Sequence, residues 1–407
     1  MRIARTVLFL FLLFMVFPVQ MGGVLLYKPL GAVLVFATLL TLGYGGGSGD
    51  ALTLSLLNSS FVASLIIIGA GIAGSLHFGV VEFNSLWKMA QNVILLIAVI
   101  HVVKRPSDLK LAVAGIGTGG VLSAMSGVID LVTFRPYRLE GILGNANGYG
   151  QVCAMASVCL TGLMIISRRR FVKACLLALD ALCLVGLFYS GSRGAVLALI
   201  GGALGFLMLK STRRTGIAFL TLGILLAAFI SEGTLFQRWS TAVRVEKVGR
   251  VSSVEMRTDL AARGLRVYKD SPIVGVGFGN IRKGMALVGV DDLMVSHNAV
   301  IQAMAETGTI GAAAFLFLAF TAGAVFYRRA RLGQARPAER AIAATLFVLL
   351  LQVFIAQLFS GNYIHPIWYV LFALSQGYRR MGLGREGKPL LTRNLPNLRS
   401  QRMRHVV

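Results

Sequence analysis

Charged residues are scarce in this chain of 407 residues, and acidic residues are the scarcest. Only 14% of the residues are charged, with 16 Asp and Glu against 40 Lys and Arg. A soluble protein of this length needs more polar surface, so a soluble globular protein is excluded. Hydrophobic residues make up 56% of the chain, in recurring runs of about 20 that match a bilayer core of about 30 Å. The composition predicts an all-α polytopic membrane protein.

Cysteine and histidine are also rare, with four and five residues. All four cysteines fall in apolar segments and none has metal-ligand spacing to a histidine, so we expect small packing residues and no disulfide. No cluster of Asp, Glu or His predicts a metal site. We therefore expect a mechanism without a metal or other cofactor.

The net charge of +24 raises the question of a nucleic-acid partner. Lys and Arg accumulate in the cytoplasmic loops of inner-membrane proteins, and this explains the charge better. We predict contact with membrane lipids and no nucleic acid.

Twelve apolar segments follow one another as predicted spans, at 5–26, 29–44, 60–76, 86–103, 109–129, 148–166, 171–189, 194–209, 215–231, 297–327, 341–359 and 363–379. With the N-terminus in the cytoplasm, most Lys and Arg residues fall on the cytoplasmic side, as the positive-inside rule requires. We predict a multi-pass bacterial inner-membrane protein with both termini cytoplasmic. Its parts would be spans one to nine (1–231), one large periplasmic loop containing helices (232–296), spans ten to twelve (297–380) and a basic cytoplasmic tail (381–407).

The loop 232–296 is basic although it lies on the side that the positive-inside rule disfavours. It holds ten Lys and Arg residues against seven acids. Such a surplus suggests an anionic ligand, with diphosphate or lipid phosphate as the natural candidates. Scattered solvated charge remains the alternative for any single loop arginine.

Three motifs can carry chemistry around this loop. In Gly191-Ser192-Arg193-Gly194, Arg193 begins a helix at the outer mouth of a span, where the helix dipole favours an anion. An arginine that snorkels to the interface is the alternative. Further on, an amphipathic helix is predicted at about 254–269, with Arg263 and Arg266 on one face. The Gly275, Gly277 and Gly279 that follow predict a pliable loop rather than a dinucleotide fingerprint.

The third motif is Ser296-His297-Asn298 at the start of an apolar helix. His297 can act as a base or hydrogen-bond a phosphate, and Ser296 is the expected N-cap. A structural interfacial histidine is the alternative. Glu306 lies further along the same helix, and its costly carboxylate is expected to hold Arg193 or the loop.

Arg138 precedes the segment Gly144-Asn145-Ala146-Asn147-Gly148. The asparagines and glycines predict a structured turn before the sixth span. Asn145 and Asn147 are expected to have structural roles, while Arg138 can contact an anionic lipid.

Taken in order, these motifs resemble the O-antigen ligase superfamily. The pieces are Gly-Ser-Arg-Gly at 191–194, the run from Arg266 through Pro272 to Gly277, Ser-His-Asn at 296–298 and Glu-x-Gly at 306–308. The resemblance implies a metal-independent, inverting glycosyltransferase of GT-C-like architecture that moves a glycan from undecaprenyl diphosphate to the lipid A-core of lipopolysaccharide. It implies that Arg193 and Arg266 hold the diphosphate and that His297 is essential. We expect Arg138, Arg263 and Asn298 to add substrate or diphosphate contacts.

Rival functions remain. An O-antigen polymerase and a protein O-oligosaccharyltransferase use the same donor. The polymerase interpretation favours two large outer loops, whereas this sequence predicts one. The protein-modifying relatives usually have a longer chain after the last spans. A lipid-linked glycan transporter would predict more charges at mid-bilayer depth or paired broken helices.

Overall fold

The computed structural model describes residues 2–21, 24–44, 59–134, 138–230, 253–287, 296–331 and 336–386. Regular structure in these ranges is helical except for a short antiparallel pair, β1 (Gln20–Met21) and β2 (Val24–Leu25). The predicted all-α class is therefore confirmed. Most of the predicted cytoplasmic tail, and the loop residues 232–252 and 288–295, lie outside the described residues.

The helices follow the apolar pattern of the sequence. They are α1 (Arg2–Val16), α2 (Tyr27–Tyr44), α3 (Ser59–Phe78), α4 (Phe83–Val102), α5 (Pro106–Phe134), α6 (Ala146–Ile166), α7 (Arg170–Tyr189), α8 (Arg193–Met208), α9 (Arg213–Ile230), α10 (Ser253–Asp270), α11 (Ile281–Leu287), α12 (Ala299–Arg331), α13 (Pro337–Ser360) and α14 (Pro366–Glu386), with a 3-10 turn at Gly141–Leu143. Each predicted span overlaps one apolar helix in order, and the predicted amphipathic helix is α10.

Seven of the described helices are long and apolar enough to cross a membrane, namely α3 to α7, α12 and α13. Three shorter apolar helices, Ile3–Val16, Tyr27–Leu39 and Arg193–Met208, accompany them. The protein is thus a polytopic helical membrane protein, and the number twelve stays a prediction. The first predicted span is too long, because α1 ends at Val16 and Pro18 cannot continue a helix.

Glycines let the helices approach closely. A side chain at Gly120 of α5 would collide with Ala156 of α6, and one at Gly162 of α6 would collide with Thr345 of α13. Small residues at such crossings are typical of helix packing in lipid. The helix α6 therefore sits at the centre, packed on α5, α7 and α13.

The helix α12 is interrupted at Gly308, whose φ of 61° and ψ of −165° are not helical. The loop 271–280 supplies partners for the backbone groups that the break frees. Four hydrogen bonds do this: Thr309 N to Pro272 O (2.8 Å), Ile310 N to Ile273 O (3.4 Å), Val276 N to Ala305 O (2.9 Å) and Gly277 N to Glu306 O (2.8 Å). Non-helical backbone at membrane depth needs such partners, so the loop and the break form one structure.

The glycines of this loop are clamped rather than pliable, which corrects the expectation from sequence. Gly275 and Gly277 are buried and have φ values of 71° and 88°. A side chain on Gly275 would meet the Ala305 carbonyl, and one on Gly277 would meet Ser75 of α3. These residues are glycine because other backbone lies against them.

Candidate active site

His297 occupies a strained turn immediately before α12. Its φ is 49°, and among the described residues no other non-glycine residue has a positive φ. Such a conformation costs on the order of 1–3 kcal/mol and persists only where the surroundings enforce it. Gly361 lies against this turn, because a side chain there would lie 2.6 Å from the His297 carbonyl carbon and collide with the Asn298 nitrogen. The loop between α13 and α14 is therefore packed on the histidine turn.

Asn298, and not Ser296, caps α12. The Asn298 Oδ1 accepts hydrogen bonds from the amides of Val300 (3.0 Å) and Ile301 (3.1 Å). The expectation of a Ser296 cap is wrong because the turn at His297 places the start of the helix after Asn298. The Ser296 hydroxyl instead donates a hydrogen bond of 3.3 Å to the Asn298 carbonyl. The cap uses the Asn298 Oδ1 as acceptor and does not involve the side-chain NH₂.

The environment of His297 favours its neutral form. Burial lowers the pKa of the imidazole from its ordinary value of 6.5, and the positive charge of Arg257 lowers this pKa further. A neutral imidazole offers a lone pair that can accept a proton near neutral pH.

Arg257 is a candidate residue that sequence analysis missed. It is partly buried. Leu260, three residues later, and Gly264, seven residues later, are buried, so Arg257 lies on the same inward face of α10. A side chain on Gly264 would contact Ser296 and collide with Ile301, so this face of α10 rests on the histidine turn. The signal was present in the sequence, because a 3.6-residue period places Arg257 on the apolar face.

Arg263 and Arg266 lie elsewhere on α10. Arg263 forms an ion pair with Asp259 at 2.7 Å, one turn earlier on the same helix. Arg266 is exposed and lies nine residues beyond Arg257, about 13 Å along the helix axis. None of Arg193, Arg257, Arg263 and Arg266 is among the residues that line the cavity beside His297.

Arg193 begins α8, as predicted, after a Ser192 cap whose hydroxyl accepts from the Ala195 amide at 3.4 Å. The side chain of Arg193 is partly buried. A side chain on the adjacent Gly194 would lie 2.9 Å from the Cβ of Phe359, near the end of α13. The Arg193 turn therefore adjoins the same segment that is packed on the histidine turn.

Arg138 connects two turns of the protein. Its Nε donates to the Ser190 carbonyl at 2.9 Å, and a terminal nitrogen donates to the Asn147 Oδ1 at 3.3 Å. Asn145 caps α6 by accepting from the amides of Asn147 (2.9 Å) and Gly148 (3.4 Å). The structural role expected of the asparagines is confirmed, and Arg138 shares it.

Glu306 is fully buried in α12, just before the break at Gly308. Its carboxylate accepts from Gln302 Nε2 at 3.1 Å and from the Tyr363 hydroxyl at 2.9 Å. Its backbone carbonyl accepts from Gly277 of the glycine loop. Of the two expected partners, Glu306 holds the loop, because its carboxylate also accepts a hydrogen bond from the backbone amide of Gly279. Its side-chain partners are Gln302 and Tyr363.

A cavity of about 270 Å³ adjoins His297. It lies between the C-terminal ends of α1 and α13, the N-terminal half of α6 and the loop that joins α13 to α14. Sequence analysis missed the contribution of this loop, in which Asn362 and His365 line the cavity. Within the described ranges, no three His, Cys, Asp or Glu side chains are grouped so that they could hold a metal ion.

Residues 178–316, about a third of the chain, match the family model described as O-antigen ligase. The match runs from α7 to α12 and includes Arg193, the glycine loop, His297 and Glu306. A comparison with curated proteins found no match. The resemblance that the motifs indicated is confirmed over this segment. Members of that family are glycosyltransferase-like enzymes of the ligase or polymerase type.

Proposed function

We propose that this protein is an O-antigen ligase that moves a glycan from undecaprenyl diphosphate to the lipid A-core oligosaccharide. The observation that carries the proposal is His297, held in a strained turn at a cavity and neighboured by Arg257, within the segment that matches the family. Strain at a titratable residue is typical of catalytic sites.

In the proposed step, a hydroxyl oxygen of the acceptor attacks the anomeric carbon of the donor sugar with inversion. The bond from that carbon to the diphosphate oxygen breaks, and its electron pair leaves with undecaprenyl diphosphate. His297 accepts the hydroxyl proton, since its lowered pKa favours the neutral imidazole. In the alternative, His297 orders the phosphate. The imidazole then donates a hydrogen bond to a phosphate oxygen, either as the protonated ring or through the N–H of the neutral ring.

The departing diphosphate needs positive charge near its oxygens. We assign this role to Arg193, at a helix N-terminus, and to Arg257, whose charge reaches His297. Forked hydrogen bonds from guanidinium groups can neutralise a diphosphate. Arg266 and Arg263 are the arginines that the sequence predicts for this role. The exposed position of Arg266 suits a first contact with the anionic donor, whereas Arg263 is partly buried and paired with Asp259.

Two observations bear on the rivals. Asp180, in the middle of α7, accepts hydrogen bonds from Ser157 and Thr161, which supports a structural role rather than a transport path. The helix α12 is broken at Gly308, as a transporter helix can be, but the loop 271–280 hydrogen-bonds the backbone groups that the break frees. A polymerase would use the same site with a second lipid-linked glycan as acceptor.

The test is reconstitution of the full chain in lipid with undecaprenyl diphosphate-linked glycan, lipid A-core and a chelator. We expect a gel shift of the core band that His297→Ala and Arg193→Ala abolish. Offering the donor alone separates the rivals, because a polymerase would lengthen the donor glycan without the core. A folded protein that modifies neither acceptor would refute the transferase assignment.

A further inference from the structure

The cavity beside His297 has an uncharged polar lining, although the chain as a whole is strongly basic. Side-chain amides from α6, α13 and the following loop line it, including Asn147, Gln151, Gln357 and Asn362, and no Asp, Glu, Lys or Arg is among its lining residues. A diphosphate would meet no cation inside it. The lining suits a neutral ligand that carries hydroxyl groups.

Gln352 is the amide of this lining that lacks a protein partner. Its side chain is 1% exposed, and neither its Oε1 nor its Nε2 has a hydrogen-bond partner in the described structure. Gln151, in contrast, donates to the Ser360 hydroxyl at 2.7 Å. A buried amide without a partner is destabilising, so a ligand that enters the cavity and bonds this amide removes that cost.

The position of Gln352 defines the deep end of the cavity. It lies eight residues before Ser360 on α13, which is about 12 Å along the helix axis. Val152, Met155 and Val353 add apolar surface to the lining. Sugar rings combine hydroxyl edges with apolar C–H faces, whereas an acyl chain would leave the amide unbonded.

We propose that this cavity holds one uncharged sugar ring of a glycan substrate, with the Gln352 amide bonded to hydroxyl groups at its deep end. The proposal rests on the proposed function and extends it by adding a residue that determines sugar specificity. The volume of about 270 Å³ lies just below the range of about 300–1,000 Å³ typical of ligand sites, and therefore suits a single ring. The ring belongs either to the donor glycan or to the acceptor core.

Gln352→Leu tests the proposal because it replaces the amide with an apolar side chain of similar size. The matched control is Gln376→Leu, which removes a buried amide of α14 that donates to the Ser60 hydroxyl and does not line the cavity. In Gln352→Leu we expect KM for one substrate to rise about tenfold, with KM for the other unchanged. In Gln376→Leu both KM values should stay at the native level.

Three probes identify the source of the sugar by binding to the reconstituted full chain. They are undecaprenyl diphosphate carrying one hexose, undecaprenyl diphosphate alone, and lipid A-core. If the donor sugar fills the cavity, Gln352→Leu weakens binding of the hexose-bearing lipid but not of the bare lipid. If the acceptor sugar fills it, the loss is confined to lipid A-core.

Native transfer activity with unchanged KM values in Gln352→Leu would overturn this inference alone, because the Gln352 amide would then make no bond to either substrate. Sugar binding that depends on Gln352 without any transfer would uphold the inference and refute the proposed function. A native protein that neither binds the three probes nor transfers a glycan would overturn both.

Discussion

The Tyr363 hydroxyl donates a hydrogen bond of 2.9 Å to the Glu306 carboxylate across 57 residues of sequence. Both side chains are fully buried, and Tyr363 stacks against Phe278 of the glycine loop. The pair therefore joins three segments at the break of α12: the helix itself, the glycine loop and the loop after α13.

Tyr363→Phe should destabilise the protein by about 1.5–3 kcal/mol, because the buried carboxylate loses a hydroxyl donor. The measurement is thermal or denaturant unfolding of the purified protein. Tyr369→Phe is the matched control, since the Tyr369 hydroxyl contacts only a weak acceptor, the Met89 sulfur at 3.0 Å. Equal losses in the two variants would contradict the role given to Glu306.

Gly361→Ala should lower the transfer rate by about 100-fold, because the added methyl group would displace the peptide that joins His297 to Asn298. The matched control is Gly79→Ala, because Gly79 also has a positive φ, of 74°, but has open space where the methyl group would lie. Initial rates at saturating substrate measure the effect. Native activity in Gly361→Ala would mean that the turn at His297 does not depend on this contact.

The rate should rise with pH through the pKa of His297 and level off above it, if the neutral imidazole is the base. Arg257→Ala removes a positive charge that disfavours the imidazolium, so the pKa of His297 rises. The acid limb of the pH–rate profile, where the rate increases with pH, then moves to higher pH. The control Arg266→Ala should leave the limb in place, because its side chain is exposed. A pH–rate profile of kcat/KM for each variant provides the measurement, and a limb that moves only in Arg266→Ala would favour the arginine predicted from sequence.

Asn298→Ala should cost about 0.5–2 kcal/mol of stability through the lost cap of α12. Asn298→Asp separates capping from substrate binding, because aspartate caps a helix equally well but repels a diphosphate. We expect Asn298→Asp to unfold like the native protein. Activity retained in this variant limits Asn298 to capping, whereas loss of activity assigns its NH₂ to the donor.

The apolar helices and the amphipathic helix α10 could be predicted because both patterns are local. A run of apolar residues long enough for the bilayer, or charges repeated on one helix face, forms the same element whatever its neighbours are. The positions of Arg193 and His297 beside helix starts followed from the same local signals.

The partners of these residues could not be predicted in this way. The helical period places Arg257 on the apolar face of α10, but only the packing of α10 on the histidine turn shows that this face meets His297. The glycine loop looked pliable because sequence does not show the backbone that lies against it. The cap lies at Asn298, in a turn on which Gly361, 63 residues later, is packed.

The sequence by itself determined that this is a helical membrane protein with a basic loop between its apolar segments, since transfer to lipid depends on each segment's own composition. Only the tertiary structure decided which groups meet: His297 with Gly361 and Arg257, Glu306 with Tyr363, and Gln352 with an open cavity. These contacts join segments far apart in the chain, and their geometry depends on how whole helices pack.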